Sequence, residues 1–438
     1  MRPESQAAAP SEPIGYWALL RDNPRYRRLW LGLVVSMAGD WFRTIALYHL
    51  VLQLTGASGL ALSGVVLAQT LSLFLMSPVA GVVADRFSRK AIMITADLVR
   101  AGLALGFLLI TAADRVWLAY VLTAALMGVA AFFNPAYTAT IPNITTRREL
   151  MAANALASAS WAAMLAIGAA LGGVVAALLG IGAAFVINAV GYLVSAWCIS
   201  TVPLPASPTA RPSSSGQPRN GWQDFWHGVR YMWARPDVLR LLSVKAWSTG
   251  VGGGLMVLFA LFAEAIFQAG VGGMGILYMT RGLGATIGPL LARRLVGETP
   301  EAMLRTISLA FGLSASFHLA FAYMPTLWLA AAALFLATMA TNVLWVCSST
   351  LLQLSVPDAY RGRVFATDFA LFTVVMSVST FVTGWSLDHS LATPRTLAAI
   401  LGGLLFLPGL WWLPTTLRPQ AALSASVASS AASGETHA

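Results

Sequence analysis

The feature that most constrains this chain is a series of long apolar runs, each near the roughly 20 residues a helix needs to cross the hydrocarbon core of a bilayer. They fall at residues 29–53, 58–84, 91–111, 116–141, 155–179 and 181–202, and again at 238–266, 272–292, 303–321, 326–354, 362–386 and 395–417. Of all residues, 58% are hydrophobic and only 10% charged, against about 25% charged in a soluble domain. An ordinary soluble protein is thereby excluded. The expected fold is all-α: a membrane protein of twelve transmembrane helices in two six-helix bundles.

The net charge of +10 would suit a nucleic-acid binder if the basic residues formed patches. They sit between apolar runs instead, so no nucleic-acid partner is expected. Lys and Arg concentrate on the cytoplasmic side of membrane proteins. With the N-terminus inside, only Arg115 and Arg395 of the 27 Lys and Arg fall outside, and Arg43, Arg100, Lys245 and Arg281 remain within spans. Both termini are therefore expected in the cytoplasm. The location expected is a bacterial-type inner membrane. The two cysteines, Cys198 and Cys347, each lie inside an apolar run, which offers neither a disulfide framework nor a thiolate metal cluster.

Five regions follow. Residues 1–28 form a polar, proline-containing cytoplasmic segment with no cleavable signal, 29–202 the first bundle, and 203–237 a cytoplasmic linker. Residues 238–417 form the second bundle and 418–438 an Ala- and Ser-rich tail expected to be disordered. Within the linker, Trp222, Phe225, Trp226, Val229 and Met232 recur at helical spacing, as in a helix lying on a membrane surface. The halves echo each other. Asn23–Leu29 lines up with Arg235–Leu241, Gly81–Lys90 with the segment from Gly288, and Pro142–Arg148 with Pro357–Arg363. Repeated halves in parallel orientation imply a substrate path between them and alternating access by rocking.

The segment Gly81-Val-Val-Ala-Asp85-Arg86-Phe-Ser-Arg89-Lys90 resembles the loop signature G-x-x-x-D-R-x-G-R-K of the major facilitator superfamily, with Ser88 in place of its glycine. Gly39-Asp40, Asp97-Leu-Val-Arg100, Asn134-Pro135, and Pro357-Asp358 through Arg361-Gly362-Arg363-Val364-Phe365 resemble the branch that holds siderophore exporters and macrolide or multidrug efflux pumps. That resemblance implies proton-driven export by a monomer. It also implies a gate in which Asp85 caps the cytoplasmic start of helix 11, supported by Arg86, Arg89, Lys90, Arg361 and Arg363. The segment Gly168–Gly173 resembles the antiporter signature G-P-x-x-G-G but carries Ala169 for its proline. Helix 4 carries none of the arginine such antiporters often have.

Charges within spans cost roughly 2.5–3.5 kcal/mol each near a helix centre on insertion scales, so each asks for a partner or a function. Asp40 and Arg43 share one face of helix 1 and form the candidate site for proton and substrate coupling, against the plainer reading of a static ion pair. Asp97 and Arg100 repeat the spacing near the cytoplasmic end of helix 3 and are assigned to the gate. Asp368 and Lys245, of opposite sign in one half, are candidates for a latch. Arg281 and Glu264 are candidates for a substrate's charged group or for pairing with each other. The cavity is assigned to Trp41, Asn134, Lys245, Arg281, Asn342 and Trp345. His49, His318 and Asn188 read as hydrogen-bond partners between helices.

No metal-ligand spacing, no cofactor motif and no catalytic motif is present, and the chain is not read as an enzyme. Expected partners are a small-molecule or lipid substrate, protons and membrane lipids. The leading function is proton-coupled export of an amphipathic drug or siderophore. A lipid or lysophospholipid transporter and a divalent-metal exporter are the alternatives.

Overall fold

In a bilayer every backbone polar group must find its partner within the protein, which leaves helices as the element for runs of this kind. The computed structural model describes residues 14–203, 230, 232–297 and 299–417, and among these there is no strand. A short helix α1 (Tyr16–Asp22) precedes α2 (Pro24–Leu54), α3 (Gly59–Arg86), α4 (Arg89–Gly106) and α5 (Val116–Ile144). Then come α6 (Arg147–Leu179), α7 (Ile181–Ser200) and α8 (Pro236–Ile266). The chain continues with α9 (Gly270–Leu295), α10 (Pro300–Tyr323), α11 (Leu327–Ser355), α12 (Asp358–Asp388), α13 (Pro394–Leu404) and α14 (Phe406–Leu417).

Ten helical stretches among the described residues are long and apolar enough to cross a membrane. The other two expected spans, α2 and α9, are helices of 31 and 26 residues that fall outside those ten. Both carry polar residues that bear on the site: Asp40, Arg43 and His49 on α2, and Arg281 on the glycine-rich α9. Of these, Arg43 and His49 are buried, where α2 packs on α6 and α7, and α9 packs on α6 and α11.

The sequence repeat has a structural counterpart. Pro24 and Pro236 each open the first long helix of their half, where a missing N–H costs nothing and a fixed φ suits the first turn. The basic loops converge at one end. There the Asn23 side chain donates to the Ile144 carbonyl (2.8 Å), Arg28 to Thr201 (3.0 Å) and Lys90 to Ser200 (2.6 Å) and Val202 (2.8 Å). The candidate surface helix at residues 222–232 lies outside the described residues except for Arg230 and Met232, as do residues 1–13 and the tail from 418.

The halves meet closely where α6 crosses α9. A Cβ on Gly282 would stand 2.5 Å from the backbone nitrogen of Ala166, and one on Gly173 2.9 Å from the Cα of Gly275. The glycines of the 168–173 segment thus act as packing residues, Gly172 lying against the Phe42 backbone and Gly173 against α9. Small residues at such crossings let backbones approach and gain dispersion contacts where no hydrophobic drive exists. Two helices carry a π-helical turn, at Met164–Gly168 in α6 and at Phe262–Ile266 in α8.

Candidate functional site

Four charged side chains from α2 and α4 gather inside the first half. Arg100 donates to Asp40 Oδ2 (3.0 Å) and to Asp97 Oδ1 (3.2 Å), while Arg43 lies 3.9 Å from Asp40 Oδ1. From α7, Tyr192 donates its hydroxyl to Asp40 Oδ1. The Arg100 guanidinium lies 4.1 Å from the centre of the Tyr192 ring, a cation–π contact. Arg100, not Arg43, is therefore the principal partner of Asp40. Asp97 and Arg100, assigned from sequence to the gate, join Asp40 and Arg43 in this cluster. The reason is reach: Arg100 sits 11 residues into α4 and its long side chain spans to α2.

Two acids and two bases cancel, so the cluster is neutral as a set. Its members differ in access. The Asp40 side chain is 26% exposed, whereas those of Arg43, Arg100 and Asp97 are 1%, 5% and 0% exposed. Asp40 is the member most open to its surroundings. Arg43 Nε and Nη1 are buried and have no hydrogen-bond partner, so a guanidinium with spare donors stands beside the exposed carboxylate.

In the second half, Lys245 on α8 donates to Asp368 on α12 at 2.7 Å, which joins the two residues that the sequence proposed for a latch. Lys245 Nζ also lies 5.2 Å from the Trp345 ring and 5.3 Å from Phe365. Next to this pair opens a cavity of about 190 Å³, lined among others by Trp161, Arg281, His318, Asn342, Trp345 and Phe372. Three residues assigned to the cavity from sequence are thus in its wall. Trp41 stands apart from this set, its ring 6.2 Å from Tyr278, and Asn134 is exposed on α5. Of the four bases within spans, Arg281 alone has no carboxylate within 4 Å among the described residues, and no hydrogen-bond partner among them.

Glu264 does not pair with Arg281. It faces His49 at 2.7 Å, tying α8 to α2 across the two halves. Near the same end Asp388 accepts from Ser58 Oγ (2.5 Å), Gly59 N (2.7 Å) and Leu60 N (3.2 Å). Ser63 Oγ donates to the Thr380 carbonyl at 2.8 Å. The carboxylate at the close of α12 thus caps the start of α3, meeting two orphan N–H groups and the positive end of the helix dipole. This end of the molecule is closed. Asp388→Ala removes a cap worth about 1 kcal/mol, so closure weakens roughly fivefold. A Ser63→Cys reporter, buried in the closed state, should react about five times faster with an impermeant maleimide. An unchanged rate would mean that the cap does not hold the end shut.

At the basic end, Arg89 donates to the Ala139 carbonyl at 2.7 Å and Lys90 to the end of α7. These contacts stay within the first half. Arg86 is exposed, and the Arg363 guanidinium lies 5.8 Å from the Tyr360 ring. The side chains of Asp85 and Arg361 lie outside the described residues. Sequence reasoning missed Tyr192 and Asp388. Asn188, Tyr192 and Ser195 form a polar stripe on α7, which was the available signal for the first. A single acid at the end of a span was the signal for the second.

Two halves of long helices, a neutral charged cluster in one and a cavity in the other describe a carrier, and the family profile described as the Major Facilitator Superfamily matches residues 29–368. The chain belongs to this superfamily. Among its relatives in the superfamily is an uncharacterized transporter of Mycobacterium tuberculosis, 28% identical over 91% of this chain and 92% of that one. A candidate bacilysin exporter of Bacillus subtilis is 24% identical over 82% of this chain and 87% of its own length. Among solved structures, the nucleoside transporter NupG superposes with a TM-score of 0.66 at 15% identity, covering 89% of this chain and 99% of that one. That likeness bears on the fold alone.

Proposed function

We propose that this superfamily member is a secondary active exporter of an amphipathic small molecule, working by alternating access and exchanging its substrate for protons. The observation that carries the reading is Asp40: a carboxylate within the helical bundle, partly exposed, held by Arg100 and Tyr192 and flanked by a partly unpartnered Arg43. Protonation would neutralise Asp40 and free Arg100 to turn wholly to Asp97, which changes how α2, α4 and α7 are held together. A charge change at the meeting point of three helices is the kind of local event that biases a two-state bundle.

Asp85, Arg86, Arg89, Lys90, Arg361 and Arg363 belong, in this reading, to the gate at the basic end, and Lys245 with Asp368 to its support. The basic end faces the cytoplasm with both termini, in a bacterial-type inner membrane, and the working unit is a monomer. The similarity to a candidate exporter of Bacillus subtilis favours the outward direction of transport.

Inside-out vesicles with an acid interior and a pH-sensitive dye test this. Added drugs, siderophores or lysophospholipids should discharge the gradient in vesicles that contain the protein and not in vesicles that lack it. If a labelled compound crosses without any discharge, proton exchange is wrong. If none of them moves, export of this substrate class is wrong.

A further inference from the structure

Arg281 stands out among the charges within the spans. Arg43 has Asp40 at 3.9 Å, Arg100 has Asp40 and Asp97, and Lys245 has Asp368. Among the described residues Arg281 has no such partner, although it lies on α9 in the wall of the cavity of about 190 Å³. No Asp or Glu lines that cavity. An intramembrane arginine left without a counter-charge is costly and marks a substrate path by default.

The neighbours narrow the chemistry. His318 Nδ1 donates to the Ser314 carbonyl at 2.9 Å, which leaves Nε2 as the acceptor of the neutral ring. Asn342 Nδ2 donates to the Thr338 carbonyl at 2.8 Å, which leaves its Oδ1 free to accept. Thr249 Oγ1, also in the wall, is buried without a partner. Trp161, Phe259, Trp345 and Phe372 supply flat apolar walls. A cavity of about 150 Å³ is enough to admit benzene, so this one suits a body of one or two rings.

We propose that Arg281 is the anchor for an anionic head group, a carboxylate or a phosphate, on an aromatic or other apolar body, and that the exported substrate is therefore an organic anion. The proposal rests on the transporter reading above and adds the sign of the substrate's charge. The guanidinium supplies paired N–H donors that match either oxyanion in a bidentate contact. The free acceptors of His318 and Asn342 take hydroxyl or N–H donors carried elsewhere on the same molecule.

Equilibrium dialysis of the purified protein in phosphatidylcholine nanodiscs tests the proposal without any gradient, empty discs being subtracted. The probes are 2-naphthyl phosphate, 2-naphthaleneacetate and the cation 2-naphthylmethylammonium. Wild type should bind one or both anions at least about 10-fold more tightly than the cation, the usual worth of a hydrogen bond to a charged group. Arg281→Gln should erase this preference and Arg281→Lys should retain part of it. Binding of phosphate alone would point to organophosphates and binding of both anions to organic anions in general, and either supports the proposal.

Equal or tighter binding of the cation overturns the proposal, as does an unchanged preference in Arg281→Gln or no binding of any probe at millimolar concentration. The wild-type comparison stands whether or not the variants fold. Since dialysis needs no proton movement, failure here leaves the vesicle result intact, and failure in the vesicles leaves this result intact.

Discussion

Asp40→Asn should lose proton-driven export by about 100-fold or more, the usual scale for removing a group that takes and releases a proton, while substrate exchange without a gradient continues. The amide keeps the size of the carboxylate, and with Oδ1 accepting from Arg100 and Nδ2 donating to the Tyr192 hydroxyl both neighbours retain a partner at that position. What it loses is the ability to alternate between a charged and a neutral form. Two readouts separate coupling from structure. Dye discharge in vesicles should fall to the level of vesicles without protein. Counterflow of labelled substrate between equal pools should stay within roughly threefold of wild type, since the amide matches the carboxylate in volume and Asp97 stays as the counter-charge of Arg100. If counterflow collapses together with discharge, Asp40 is a structural ion pair. If discharge persists, the proton takes another route.

Gly282→Val should abolish transport, with at least about a 10-fold loss, because the crossing of α6 and α9 has no room for even one methyl group. A Cβ at residue 282 would meet Ala166 N at 2.5 Å, Ala166 Cα at 2.6 Å and the Leu165 carbonyl carbon at 2.7 Å. All three are backbone atoms, which do not rotate away as side chains do. Overpacking of this kind costs about 1–3 kcal/mol, and here the strain falls on the contact that joins the halves in the closed arrangement. The folded halves should survive, so a monodisperse protein with a normal melting profile and a faster-reacting Ser63→Cys reporter is expected. Gly272→Ala is the control on the same helix, since nothing lies within 4 Å of a Cβ there, and it should transport normally. Normal transport by Gly282→Val would show that the crossing is not held closed during the cycle.

The fold was largely readable because its strongest signal is local: a run of apolar residues declares a span without knowledge of its neighbours. The two spans that fall outside those ten, α2 and α9, were still found, since each keeps an apolar run of about span length, 29–53 and 272–292, around its polar residues. Pairings were less readable. Asp40 and Arg43 share a helix face, so helical spacing pointed to each other, yet Arg100 arrives from α4 and takes the closer contact. Sequence spacing carries no information on which helix lies alongside. Lys245 and Asp368 were joined by opposite sign alone, and the structure brings them to 2.7 Å. Glu264 was offered Arg281, another base of its own half, and instead met His49 of the first. The vacant donors of Arg43 and Arg281 belong to the same class of information, because an absent partner is visible only once every neighbour is placed.

The neutral pairing within the spans has an electrical consequence. Since Asp40 and Asp97 offset Arg43 and Arg100, and Asp368 offsets Lys245, these fixed charges add no net charge to what the rocking halves carry. In the proposed cycle Arg281 turns to one side with the cargo and back without it, so its charge drops out over a full turn. The current then depends only on what is exchanged. For one monoanion leaving against one proton entering, two positive charges move inward per turn. At roughly 2.3 kcal/mol per charge for each 100 mV, against about 1.4 kcal/mol for a pH unit, such a carrier would be driven chiefly by membrane voltage and would keep working where the inside and outside share the same pH.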